Sequence, residues 1–165
     1  MSQPDKKKFL QLIQQHRGIM HKVIFLYMDE AEERQDMLQE ILLQAWKSYP
    51  SFEERSKFST WLYRVSLNTV LTAQRKNYRQ PDTEPLEAAL HLSQQGEDNT
   101  EKEWLILTVR QLPDIDRMMI SLHLDGYQNE EIAEITGMQK ANVALRLHRI
   151  RKKLAKKRQN YEGLQ

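Results

Sequence analysis

The sequence predicts an all-α protein made of two small helical domains joined by a flexible linker. Three observations carry this. Apolar residues recur at helical spacing along most of the chain. Only five glycines and five prolines occur in 165 residues. The periodicity fails once, in a Pro- and carboxylate-rich stretch after Arg79. The resulting boundaries are 1–80 for the first domain, 81–100 for the linker and 101–165 for the second.

In the first domain, Phe9, Leu12, Ile13, His16, Met20, Val23, Ile24 and Tyr27 follow the i, i+3, i+4, i+7 rule. An acidic stretch, Asp29 to Glu33, interrupts them. A second helix carries Leu38, Ile41, Leu42, Ala45 and Tyr49 on one face and ends at Pro50. A third runs from about Lys57 to Tyr78, with Phe58, Trp61, Leu62, Val65 and Thr69 sharing a face. In the second domain Pro113 suits a helix start and Gly126 its left-handed end. NEEIAEIT, Gly137 and a helix from about Lys140 then form a helix-turn-helix. Ala133 sits at the crossing, and Ile132, Ile135 and Met138 supply the shared core.

Composition excludes several classes. Cysteine is absent, which removes disulfides, thiolate metal sites and thiol nucleophiles and suits a reducing cytoplasm. No apolar run approaches the roughly 20 residues that span a bilayer, and the N-terminus lacks a signal-peptide core, so no membrane insertion is expected. There is no phosphate loop, metal-spaced cluster or nucleophile elbow. His123 and Asp125 flank a helix end, where capping is the expected role. The sequence points to a protein that is not an enzyme and needs no cofactor or metal.

Net charge is only +2, but it is segregated. Lys140, Arg146, Arg149, Arg151, Lys152, Lys153, Lys156, Lys157 and Arg158 crowd the last helix, whose apolar stripe is Val143, Leu147, Ile150 and Leu154. Its other face presents Asn142, Leu145, His148, Arg149, Lys152 and Lys156. A helix anchored on one side and basic on the other can lie in a major groove, its first turns at base edges and its later lysines at phosphates. Leu145 on that face can touch a thymine methyl. A plain solvated helix would show the same charges, but few such helices follow NEEIAEITG.

Two further faces belong to the first domain. Opposite the second helix's apolar stripe lie Asp36, Gln39, Glu40, Leu43 and Lys47. A leucine ringed by carboxylates and an amide suits protein docking. Along the third helix Trp61, Arg64, Asn68, Leu71 and Arg75 fall at spacings of three, four, three and four. A ring, an amide and two guanidinium groups can stack on unpaired bases and track their backbone.

Both halves resemble the extracytoplasmic-function (ECF) group of sigma-70-type RNA polymerase sigma factors. The residues that carry the resemblance are Asp36-Met37-Leu38-Gln39-Glu40 with Ala45-Trp46, and Phe58-Ser59-Thr60-Trp61-Leu62-Tyr63-Arg64-Val65 with Asn68. In the second half they are Leu112-Pro113, Arg117, Glu131-Ile132-Ala133-Glu134, Gly137, Val143, Arg146-Leu147, Arg149 and Arg151-Lys152-Lys153-Leu154. The resemblance implies a sigma domain 2 bundle and a sigma domain 4 helix-turn-helix. It implies that Asp36, Gln39 and Glu40 dock on core polymerase and that Trp61, Arg64 and Asn68 melt and read the −10 element as single strand. The Pro50–Ser56 loop would capture a flipped base, and Arg146, His148 and Arg149 would enter the −35 duplex. It also implies an anti-sigma partner clamping both DNA faces.

The chain departs from the family pattern at two places. Asn142-Val143-Ala144-Leu145-Arg146 stands where Thr-Val-Lys/Arg-Ser-Arg is usual, which removes a basic contact at Ala144. Arg34-Gln35-Asp36 replaces the usual Ala-Glu-Asp. A stand-alone helix-turn-helix regulator is the alternative reading, but it would carry a ligand pocket or dimerisation helix in its first half. Because few apolar residues join the domains in the sequence, they are expected to be separately compact and free to reorient.

Overall fold

The structure is a computed structural model that describes residues 3–78 and 97–162. Most of the 81–100 linker therefore lies outside the described residues. Seven α-helices account for the described chain: α1 (Gln3–Tyr27), α2 (Ala31–Ser48), α3 (Phe58–Tyr78), α4 (Glu97–Arg110), α5 (Asp114–Leu124), α6 (Asn129–Thr136) and α7 (Lys140–Glu162). A single 3₁₀ turn, Tyr49–Ser51, follows α2 and places Pro50 in its first turn. α4 starts at Glu97, inside the stretch expected to be linker.

In the first half α1, α2 and α3 pack on one another. Val23, Ile41, Ala45, Leu62 and Val70 are fully buried there. The buried stripe of α2 is Met37, Ile41 and Ala45, while Leu38, Leu42 and Tyr49 are only half-buried. The reading from sequence was thus rotated by one residue at its N-terminal end. Glu32 and Glu33 do not interrupt the helical run after all. They occupy the first turn of α2, and Lys47 its last, each where the helix dipole favours its charge.

In the second half α5, α6 and α7 form the trihelical unit. Ile132, Ile135, Val143, Leu147 and Ile150 interlock with Met118, Met119 and Leu122, whereas Met138 and Leu154 lie half-buried at the edge. Gly126 and Gly137 have φ of 86° and 72°, so each sits in the left-handed region that ends a helix without a Cβ penalty. At the start of α6, Gln128 N–H donates to the Glu131 carboxylate at 3.1 Å, one arm of a capping box.

The two halves are not separate bodies here. Tyr27, Tyr63, Leu26 and Met28 of the first half share a continuous core with the second. α6 lies on α3 and α5 lies on the end of α1. Tyr63 and Tyr127 meet edge to face with ring centroids 5.4 Å apart. Burial, with Tyr127 and Asp125 close by, pushes the Tyr63 hydroxyl above the ordinary phenol range.

The C-terminal end of α1 shows why sequence reading missed this junction. That helix has no basic residue in its last turn, so its terminal carbonyls need outside donors. Arg117 gives an N–H to Leu26 O at 3.0 Å, and Arg110 gives one to Met28 O at 3.1 Å. Arg34 reaches Met28 O as well, at 3.1 Å. Two of these three guanidinium groups come from the other half. The Arg117 guanidinium also lies 4.7 Å above the Tyr27 ring, whose hydroxyl donates to Asp114 O. Ion pairs Lys22–Asp125, Lys57–Glu131 and Arg110–Asp29 rim the junction.

Candidate nucleic-acid and polymerase interface

Three exposed surfaces arise from three helices. On α2, Asp36, Gln39, Glu40 and Leu43 all face solvent, as the spacing of three, four and seven requires. Leu43 is 44% exposed although Ile41 and Ala45 beside it are fully buried, so the core does not use it. The Gln44 amide donates to the Glu40 carboxylate at 2.7 Å and fixes that acid near the centre of the face.

On α3, Arg64, Asn68 and Arg75 are exposed along one side. Leu71 is not with them. It is 9% exposed and belongs to the core, so it backs the helix rather than facing bases. Its step of three from Asn68 turns it inward; the residue that stays outside is Thr72. A groove between α2 and α3 has a volume of 480 Å³. Its walls bring Glu40 and Gln44 against Asn68, Thr69, Thr72 and Lys76. Thr72 and Lys76 were missed in the sequence. The signal was a strict four-residue step from Asn68, obscured by following the apolar rhythm through Leu71.

Trp61 is half-buried in an aromatic cluster at the foot of α3. Its ring centroid lies 5.1 Å from Phe58, 5.2 Å from Phe52 and 6.1 Å from Tyr49. Such rings offer stacking faces at the lip of the Pro50–Ser56 loop. Within this loop Glu54 holds φ of 54°, a left-handed conformation costly for a residue with a Cβ. The Lys8 ammonium donates to its carboxylate at 2.5 Å and tethers the strained turn to α1. This contact holds the Glu54 carboxyl below its usual range.

On α7, Asn142, Leu145, His148, Arg149 and Lys152 are exposed while Val143, Leu147 and Ile150 anchor the opposite side. Arg146 departs from the group. Its Nε donates to the Asp116 carboxylate of α5 at 2.5 Å, which draws the guanidinium toward the protein. A groove of 430 Å³ runs along this face, lined by Asp116, Met138, Asn142, Leu145, Arg149 and Lys153 among others. Lys153 is a further cation that the sequence reading did not assign here. His123 is half-buried beside the exposed Asp125 at the end of α5, and Asp125 pairs with Lys22 rather than with any catalytic partner.

Both halves match known modules. Residues 12–80 match the model of Sigma-70 region 2, and residues 102–154 match that of Sigma-70 region 4. The two modules in this order define the class: a sigma-70-type promoter-recognition subunit.

The ECF RNA polymerase sigma-E factor of Haemophilus influenzae is 30% identical over 95% of this chain and 90% of its own length. The sigma-E factor of Escherichia coli K12 is 31% identical over 93% and 87%. SigW of Bacillus subtilis is 30% identical over 92% and 89%. Among solved structures, the sigma factor RpoE bound to the anti-sigma factor NepR from Bartonella quintana superposes with a TM-score of 0.74. It is 22% identical, over 91% of this chain and 96% of that one. CnrH in complex with the cytosolic domain of CnrY superposes with a TM-score of 0.64, at 22% identity. The chain belongs to the ECF group of RNA polymerase sigma factors.

Proposed function

We propose that this sigma factor docks on core RNA polymerase through α2, opens and reads the −10 element along α3, and checks the −35 duplex with α7. The observation that carries the reading is the coexistence of three solvent-facing surfaces on three helices, whose exposed residues lie outside the shared core. Asp36, Gln39, Glu40 and Leu43 form the polymerase contact. Arg64, Asn68 and Arg75, extended by Thr72 and Lys76, line the single-strand path, with Trp61 and the Pro50–Ser56 loop at its end. Asn142, Leu145, His148, Arg149 and Lys152 face the −35 groove, and Arg146 is held beside them by Asp116.

Chemistry supports each assignment. An amide and hydroxyls in a groove can bond unpaired base edges, while flanking cations follow phosphates. Arg149 has the planar fork that matches guanine O6 and N7. The protein supplies recognition and strand separation rather than catalysis and acts in the cytoplasm with polymerase. An anti-sigma protein that spans both halves fits a chain whose DNA-facing helices lie on two docked modules.

The test is transcription in vitro with purified core polymerase. Asp36→Ala should lose holoenzyme formation in co-elution. Asn68→Ala should bind polymerase yet fail to react with permanganate at the −10 strand. Arg149→Ala should weaken upstream contacts by about tenfold or more. A chain that does not co-elute with core enzyme refutes the whole assignment.

A further inference from the structure

The −35 face has an unusual chemical make-up for a basic helix, and its most exposed apolar residue has no structural task. Leu145 is 51% exposed, whereas Val143, Leu147 and Ile150 of the same helix are nearly or fully buried. It shares one stripe with Asn142 a turn before and Arg149 a turn after. Of its two chain neighbours, one carries no polar group and the other is tied to a carboxylate. Ala144 ends at its Cβ, and the Arg146 guanidinium is engaged by Asp116, whose side chain is only 18% exposed. The groove beside Leu145 is further lined by Met138 and Ile150.

Resting on the assignment of α7 to the −35 duplex, the structure assigns Leu145 to specificity: it packs on the C5-methyl group of a thymine adjacent to a guanine bonded by Arg149. In the major groove the thymine methyl is the apolar group displayed among base edges that otherwise present donors and acceptors. An exposed leucine gains from covering it, and loses by covering a polar edge that would then go unpaired. Burying one such carbon group corresponds to about a fourfold change in affinity. Asp116 acts as a positioning residue, since its carboxylate ties down the Nε of Arg146, which lines the same groove as Leu145.

The experiment uses holoenzyme assembled from the full chain and core polymerase. Duplexes are first selected from a pool randomised across the upstream region. Each thymine of the selected −35 element is then replaced singly by deoxyuridine, which deletes the methyl and nothing else.

At one position, wild type should lose about fourfold in affinity. Leu145→Ser should bind both duplexes alike, and Leu145→Met should keep the discrimination. Helicity and melting midpoint, unchanged at this exposed position, verify that the variants fold. Uracil tolerated by wild type at every position overturns the proposal, as does methyl discrimination that survives in Leu145→Ser. Failure to enrich any upstream sequence instead refutes the −35 role of α7 itself.

Discussion

Arg117→Ala tests the junction between the two halves most directly. The elements named −10 and −35 lie about 25 base pairs apart, roughly 85 Å at about 3.4 Å per pair. A compact chain of 165 residues has a radius of gyration of only about 15 Å. The docked form must therefore part before both elements are engaged, and Arg117 is central to holding it. The side chain is 14% exposed, bonds Leu26 O at 3.0 Å across the junction, and stacks 4.7 Å from the Tyr27 ring.

A hydrogen bond from a charged donor contributes about 1.5–3 kcal/mol, and a partly desolvated cation–π contact about 1 kcal/mol. The buried Nε, which finds no partner among the described residues, offsets part of this. The net cross-junction contribution is about 2–3 kcal/mol, or a roughly 30- to 150-fold shift toward the parted form. A further contact, Arg117 to Leu112 O at 3.2 Å, lies within the second half and adds to the global cost.

The assay is energy transfer between dyes on cysteines placed at the exposed Glu32 and Lys156, with X-ray scattering alongside. The chain has no cysteine of its own, so both labels are specific. Wild type should give one short distance, and Arg117→Ala a broad, longer distribution with a larger radius. Arg117→Lys should fall with the alanine variant, because one ammonium cannot replace the fork. A variant with the wild-type distance and an unfolding free energy within about 0.5 kcal/mol of it refutes the reasoning.

Three other outcomes follow from the same structure. Leu62→Ala empties a fully buried site of the first half and should cost about 2–5 kcal/mol in urea unfolding. Gly137→Ala meets no atom within 4 Å but forces a Cβ onto a φ of 72°, so the melting midpoint should fall by the equivalent of about 1–2 kcal/mol.

Alkali should separate two tyrosines from the rest. Burial raises the folded hydroxyls of Tyr27 and Tyr63 above the ordinary phenol value of about 10, so their stabilising effect is complete below that pH. It is lost as pH climbs through their folded values. Tyrosinate absorbance should show both ionising late and together with unfolding, and their early ionisation in a still folded chain would contradict the assigned burial.

The helices were legible in the sequence because each carries its own periodic stripe and punctuation, as Pro113, Gly126 and Gly137 show. The exposed faces of α2 and α7 were legible for the same reason: a residue absent from the buried stripe must lie outside. Contacts between residues far apart in sequence were not. Arg146 and Asp116 lie thirty positions apart, and nothing in either segment alone pairs them. The docking of the halves uses guanidinium groups on backbone carbonyls and a tyrosine pair, and it buries Leu26 and Met28, which lie off the periodic stripe of α1. Leu71 was misplaced because a straight stripe at 3.5 residues per turn drifts across a helix of 3.6.

The borrowed donors at the end of α1 bear on protein engineering. A hybrid that grafts the −35 module of one relative onto the −10 module of another transplants Arg110 and Arg117 away from Tyr27, Lys22 and Tyr63. Such chimeras will inherit a joint whose two sides were never fitted to each other. How firmly their free form stays docked should therefore track the pedigree of that joint rather than either DNA address, and carrying Tyr27, Lys22 and Tyr63 across with the graft should restore the docking.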